Sequence, residues 1–202
     1  IIRDSGPNND LINLTNTFPP LSPTVSFPYT PVLEPGEQNL KVPGWLNDVT
    51  LYHNRGDTTF RGESSRMGDF VGLDDLMTEN PRVIAGMVEI FGSWIDRFGV
   101  DGFRIDTMKH VNDEFWQRFG PQVLAYARQH GKREFFMFGE VFDTTKSFTS
   151  HFTTHDRVQA VLDFPFQAAA QDGQPSALHK VADLFGLSTY LIPRSALPPL
   201  PP

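Results

Sequence analysis

From Asn80 onward the chain alternates between two hydrophobic periods, and this alternation limits its fold more than any other feature. Val83, Ile84, Met87, Phe91, Ile95 and Phe98, with Val88 and Trp94 between them, recur at helical spacing after Pro81, a residue suited to a first helical turn. Gly99 stops that helix, and Val100–Asp106 follows as an apolar strand. A second helix is expected from Asp113 to His130, with Phe115, Phe119, Val123, Leu124 and Ala127 on one side and Gly131 as its stop. EFFMFGEVF (134–142) reads as a second buried strand and QAVLDFPF (159–166) as a third, with a weaker helix around Ala177–Phe185. Continuously apolar strands separated by helices predict a parallel sheet in an α/β protein. The expected fold is therefore part of a (β/α)8 barrel, in which functional groups project from the C-terminal ends of the strands.

Residues 1–78 do not share this pattern. They are rich in Pro, Gly, Asn and Asp, with short apolar stretches such as VSF and NDVTLYH, and read as a loop-rich inserted subdomain. Residues 79–187 carry the barrel part. SALPPLPP ends a Pro-rich tail (188–202) that has no amphipathic period and is expected to be aberrant, the result of truncation. Only three barrel strands are legible, so residues 1–202 expressed alone are expected to be poorly soluble and inactive.

The first strand holds an anomaly. Alternation sends Phe103 and Ile105 to one face and Arg104 and Asp106 to the other, where a sheet would favour Val or Ile. An isolated Arg-x-Asp reads first as a structural ion pair. The second strand changes that reading, because Glu140 stands at its C-terminal end as Asp106 does on the first. Two carboxylates on neighbouring parallel strands are what glycoside hydrolysis needs: one attacks the anomeric centre and the other protonates the leaving oxygen. Arg104 would keep Asp106 ionised, while Glu140, set among aromatics, is expected to be desolvated into a proton donor.

Bulk properties narrow the partners. A net charge of −7 argues against nucleic acid and anionic membranes, and no apolar run approaches the length of a membrane span. The absence of cysteine removes disulfides and thiolate metal sites. Trp45, Trp94 and Trp116 are expected to serve packing, and Asp143 and Asp163 have no assigned role. His151, His155 and Asp156 lie in a polar connection before the third strand and supply no further catalytic acid.

GFRIDTMKH (102–110) strongly resembles the second short signature of glycoside hydrolase family 13, the alpha-amylase family. FFMFGEVF resembles the third, and GLDDLMTENP (72–81) the signature closing the domain inserted after the third barrel strand. The resemblance implies Asp106 as nucleophile, Glu140 as general acid/base and Arg104 as the arginine partner. It places Lys109 and His110 on the aglycone side of a substrate site. It also implies a structural Ca2+ held by Asp75 and the backbone carbonyl of His110, an oxygen set suited to that ion. This chain has Asp74 where proline is usual and Met77 where Asn is common. The first and fourth signatures, including the third catalytic acid, are not found between Ile1 and Pro202. The implied activity is retaining hydrolysis of α-1,4-glucosidic bonds in starch or maltodextrins, by a protein secreted from the cell. A transglycosidase or isomerase of the same family, or a non-catalytic binding fragment, are the alternatives.

Overall fold

The computed structural model describes residues 3–5, 30–33, 35–55, 58, 60–62, 64–70 and 73–171. The tail at 188–202 and the helix expected around Ala177–Phe185 lie outside them. Strands β1 (Arg3–Ser5) and β2 (Thr30–Val32) pair antiparallel. After a set of 3-10 turns and the short α1 (Ser64–Met67) comes the regular part. It consists of α2 (Pro81–Phe98), β3 (Gly102–Ile105), α3 (Asp113–Gln129), β4 (Phe136–Gly139), α4 (Lys146–Thr154), β5 (Ala160–Val161) and α5 (Phe164–Gln171). Strands β3, β4 and β5 form one parallel sheet in that order, as the apolar strand–helix alternation predicts.

Helix α2 begins and ends where its sequence dictates. The Asn80 side chain accepts from the Arg82 N–H at 2.8 Å, a cap worth about 1 kcal/mol, and Pro81 occupies the first turn. Gly99 closes the helix in the left-handed region at φ 64°, donating to the Ile95 carbonyl at 3.0 Å. Asp113 and Glu114 place negative charge at the positive end of α3.

The main core lies between these two helices and the sheet. Phe91 of α2 meets Phe103 of β3 and Phe119 of α3 edge-on at 4.7 and 4.9 Å, and Phe103 meets Phe135 at 5.3 Å. Beneath them Met108, Val123, Val141 and Ala127 are fully buried. A smaller cluster of Leu51, Tyr52 and Val83, with Leu33, Trp45 and Leu76 against it, docks the segment before α2 onto that helix.

Three expectations need correction. Trp94 is not a core residue among the described residues: it is 49% exposed on α2, its ring 4.7 Å from that of the still more exposed Phe98. The apolar stripe of α2 is wider than the face its neighbours cover. The third strand is only Ala160–Val161, because the Asp163 side chain accepts from the Phe166 N–H at 2.9 Å and caps α5. The polar connection after β4 holds a helix, α4, whose buried residues are Thr149 and Phe152.

Candidate active site

Parallel pairing brings the two expected carboxylates together. Strands β3 and β4 align Ile105 with Gly139, so the next residues, Asp106 and Glu140, emerge side by side at the C-terminal edge. The backbone fixes both: the Glu140 N–H donates to the Ile105 carbonyl at 2.7 Å, and the Met108 N–H to the Glu140 carbonyl at 3.0 Å. Gly139 is required here, because a Cβ at that position would stand 1.5 Å from the Met108 sulfur. Immediately after Asp106, Thr107 adopts φ 52°, ψ 33°, a left-handed conformation costly for a β-branched residue. Local strain therefore sits next to the carboxylate that leaves the strand.

Arg104 bridges the pair. Its Nη1 lies 2.8 Å from Asp106 Oδ1 and its Nη2 donates to Glu140 Oε2 at 3.0 Å. The neighbouring Glu140 carboxyl is the largest influence holding Asp106 below the usual carboxylate range. Slight desolvation works against it, and the charge and hydrogen bond of Arg104 add to the lowering. The expectation that Glu140 sits desolvated among aromatics is corrected. Its side chain is 24% exposed and turned toward Arg104, while Val141 is buried and Phe142 points outward.

The 3-10 turn Met108–His110 carries the next two expected residues in different directions. Lys109 Nζ donates to the Phe142 carbonyl at 2.7 Å and lies over the Phe142 ring, tying the loop after β3 to the loop after β4. His110 turns toward the segment before α2, where its Nδ1 lies 2.9 Å from the Ser65 carbonyl. A carbonyl only accepts, so Nδ1 carries the proton and Nε2 is left as an acceptor. Burial, with the nearby Lys109 charge, lowers the His110 pKa against the opposing Ser65 contact, favouring this neutral form.

A cavity of about 410 Å³ opens between the two segments, with Asp106 and His110 on one wall and Ser65, Phe70, Leu73 and Asp75 on the other. Phe60 meets His110 edge-on at 5.6 Å and Phe70 at 5.7 Å, with both rings about half exposed. Sequence reasoning did not single out Ser65, Phe60 or Phe70. The available signal was two phenylalanines in a Gly-rich polar loop, where no core could use them.

Asp75 has a partner that the sequence reading also missed. The buried His53 is clamped between two carboxylates, with Nδ1 2.6 Å from Asp75 Oδ2 and Nε2 2.9 Å from Glu79 Oε2. Burial depresses the His53 pKa, but the hydrogen bonds and charges of Asp75 and Glu79 outweigh it and raise it to about 9. Burial pushes Asp75 up to about 6 against the pull of the imidazolium. The cluster is therefore charged between these values, around neutral pH. The backbone holds it in register, the His53 N–H donating to the Asp75 carbonyl at 2.9 Å.

Asp75 and His110 both line this cavity, which brings the two residues expected to hold Ca2+ to one place. Their chemistry fits that ion, which takes about six to eight oxygens. His53 engages one Asp75 oxygen, so a cation there would use the other and would have the His53 ring in its outer shell.

Comparison with known proteins agrees with this geometry. The family model described as alpha amylase, catalytic domain, matches residues 32–191. An alpha-amylase of Streptomyces lividans is 50% identical over 163 residues, which cover 80% of this chain and 18% of that protein. A cyclomaltodextrin glucanotransferase of Geobacillus stearothermophilus is 31% identical over 127 residues, 61% of this chain and 17% of that one. The chain thus spans less than a fifth of the length of these relatives. Among solved structures, an Anoxybacillus alpha-amylase matches with a TM-score of 0.58 at 30% identity, covering 69% of this chain and 32% of the other. An alpha-amylase of Geobacillus thermoleovorans complexed with acarbose matches with a TM-score of 0.59 at 27% identity, covering 70% and 32%. The parallel strands that deliver Asp106 and Glu140 to one arginine are therefore part of a barrel catalytic domain, and the chain belongs to the alpha-amylase family of glycoside hydrolases.

Proposed function

We propose that this chain carries the nucleophile and the acid/base of a retaining α-glucan hydrolase acting on α-1,4-glucosidic bonds of starch or maltodextrins. The observation that carries the reading is the single guanidinium holding both carboxyls, 2.8 Å from one and 3.0 Å from the other. Carboxyls held by the two nitrogens of one guanidinium stand close together, as the double displacement of retention requires. Asp106, held ionised, attacks the anomeric carbon while Glu140 gives its proton to the departing glycosidic oxygen. Water then enters, Glu140 takes a proton from it, and the Asp106–glycosyl bond breaks with the configuration restored. Arg104 orients both groups. His110, with Nε2 as acceptor, and the exposed Phe60 and Phe70 line the route for the sugar beside Asp106. Lys109 contributes indirectly, by bracing the Phe142 loop.

In this reading the described residues before 79 belong to the inserted subdomain and those from 79 onward to part of the barrel, with the apolar cluster of Leu51, Tyr52 and Val83 joining the two. A Ca2+ ion held by Asp75 and the His110 carbonyl would join the two. It supplies a structural crosslink, and no step of the reaction depends on it. Secretion, which the family resemblance implies, belongs to the same proposal. No described helix is long and apolar enough to cross a membrane.

The test uses the full-length protein. Asp106→Asn is expected to reduce turnover by orders of magnitude with the fold intact, and the parent to release α-anomers as the first product by NMR. β-Anomers, or near-normal turnover in the variant, would overturn the mechanism. A transglycosidase is the second reading, favoured by the similarity to a cyclomaltodextrin glucanotransferase. Cyclic or elongated products in place of short linear ones would select it.

A further inference from the structure

The polar connection after β4 brings together four metal-ligating side chains that the catalytic reading does not use. His151 lies on α4 and His155 one turn later at its C-cap, their rings stacked 4.5 Å apart. Asp156 follows directly, and Asp113, the first residue of α3, faces them from the neighbouring helix. His151 Nε2 is 3.2 Å from Asp113 Oδ2 and 3.7 Å from Asp156 Oδ1, and His155 Nδ1 is 2.9 Å from Asp156 Oδ1. One ligand atom from each of the four lies within 4.8 Å of all the others.

An independent feature is the state of Asp156. This carboxylate is completely buried, yet its Oδ2 has no hydrogen-bond partner. Its Oδ1 takes His155 and, at 3.5 Å, Gln117. A buried carboxylate oxygen without a donor is unusual, and it leaves the charge of Asp156 short of protein partners. Arg66 approaches Asp113 through Oδ1 at 3.4 Å, which keeps Oδ2 on the His151 side. Gln117, 3.2 Å from His155 Nδ1, becomes an outer-shell donor to Asp156 once that nitrogen binds an ion.

We propose that Asp113, His151, His155 and Asp156 form a structural zinc site pinning α4 to the start of α3. Four-coordinate zinc with bonds of about 2.0 Å sets its ligand atoms about 3.3 Å apart, and the three distances here fall on either side of that value. Two imidazoles and two carboxylates select a borderline ion of this kind over Ca2+ or Mg2+, which prefer oxygen alone. The ion, held through Asp156 Oδ1, balances the charge of this buried carboxylate and crosslinks the helix after β4 to the helix before it. It thereby steadies the strand that ends in Glu140 without entering the chemistry. This site is separate from the Asp75–His110 position.

The experiment measures zinc binding to the full-length protein after chelation and dialysis, by calorimetry with ZnCl2 and by metal content. The parent is compared with a His151→Asn/His155→Gln variant and, from the other helix, with Asp113→Asn. The parent is expected to retain one more zinc per chain than either variant, with a dissociation constant of micromolar or tighter. Its melting temperature should rise by several degrees in about 100-fold excess of zinc over that constant. CaCl2 should not displace the ion, and starch hydrolysis by the two-histidine variant should match the parent, showing that its fold is intact. Equal zinc content in parent and variants, or parent binding weaker than millimolar, would overturn the site. Such a result would leave the roles of Asp106 and Glu140 untouched, because their test reads product anomers.

Discussion

Replacing Gly139 by alanine should damage activity through geometry alone. The added Cβ would lie 1.5 Å from the Met108 sulfur and 2.5 Å from its Cγ. Met108 is fully buried, and its backbone is fixed at both ends, to Glu140 through its N–H and to the Trp116 indole through its carbonyl. The shortfall from ordinary contact is about 2 Å, and overpacking of this size costs about 1–3 kcal/mol or more. The methionine cannot retreat into solvent, so strand β4 must yield. Glu140 is the next residue, and a displacement of about 1 Å at a catalytic group lowers turnover by roughly 100-fold. Gly139→Ala in the full-length enzyme should therefore lower kcat far more than it raises KM. Met108→Ala alone leaves a cavity costing about 2–5 kcal/mol. In the double variant the new methyl enters that cavity, so the two effects should be markedly less than additive in both melting temperature and kcat. Additive losses, or a Gly139→Ala enzyme with normal kcat, would refute the argument that the glycine exists to seat Met108 beneath Glu140.

Arg104→Met should move the acid limb of the pH profile of kcat/KM upward. Asp106 works as a carboxylate, and loss of the guanidinium raises its pKa; an unmoved limb would show that Glu140 alone sets it. The His53 cluster should appear in the alkaline stability of the protein. The histidine pKa is raised to about 9, so the stability it contributes is complete below its unfolded value and is lost as pH rises through about 9. His53→Gln should lower the melting temperature near neutral pH and flatten that alkaline decline, and a decline of unchanged steepness would remove His53 as its cause. Chelation of the full-length protein, followed by CaCl2, should lower and then restore the melting temperature. Asp75→Asn should abolish the Ca2+ response, and an equal response in parent and variant would place the ion elsewhere.

The pairing of Asp106 with Glu140 was readable because parallel strands convert sequence position into spatial position. A charged residue that ends one apolar strand and a second that ends the next must emerge at the same edge once the strands pair in register, as Ile105 and Gly139 do. Helices α2 and α3 were readable for a similar reason: the Asn80 cap and Gly99 stop of α2, and the apolar periods of both, are local chemistry that tertiary packing did not override. The environment of Glu140 was not local. Its aromatic neighbours along the chain predict desolvation, but strand alternation sends Val141 inward and Phe142 outward, while Arg104 of the next strand reaches its carboxyl. The His53 clamp depends on residues 22 and 26 positions apart. The cluster at Asp113 and His151 spans 38, and no periodicity encodes such meetings. Sequence alone fixed which groups carry charge and at which strand or helix end they stand. Tertiary structure decided which charges meet, because the partner of a polar side chain is chosen by the packing of whole elements, and only the folded backbone sets that.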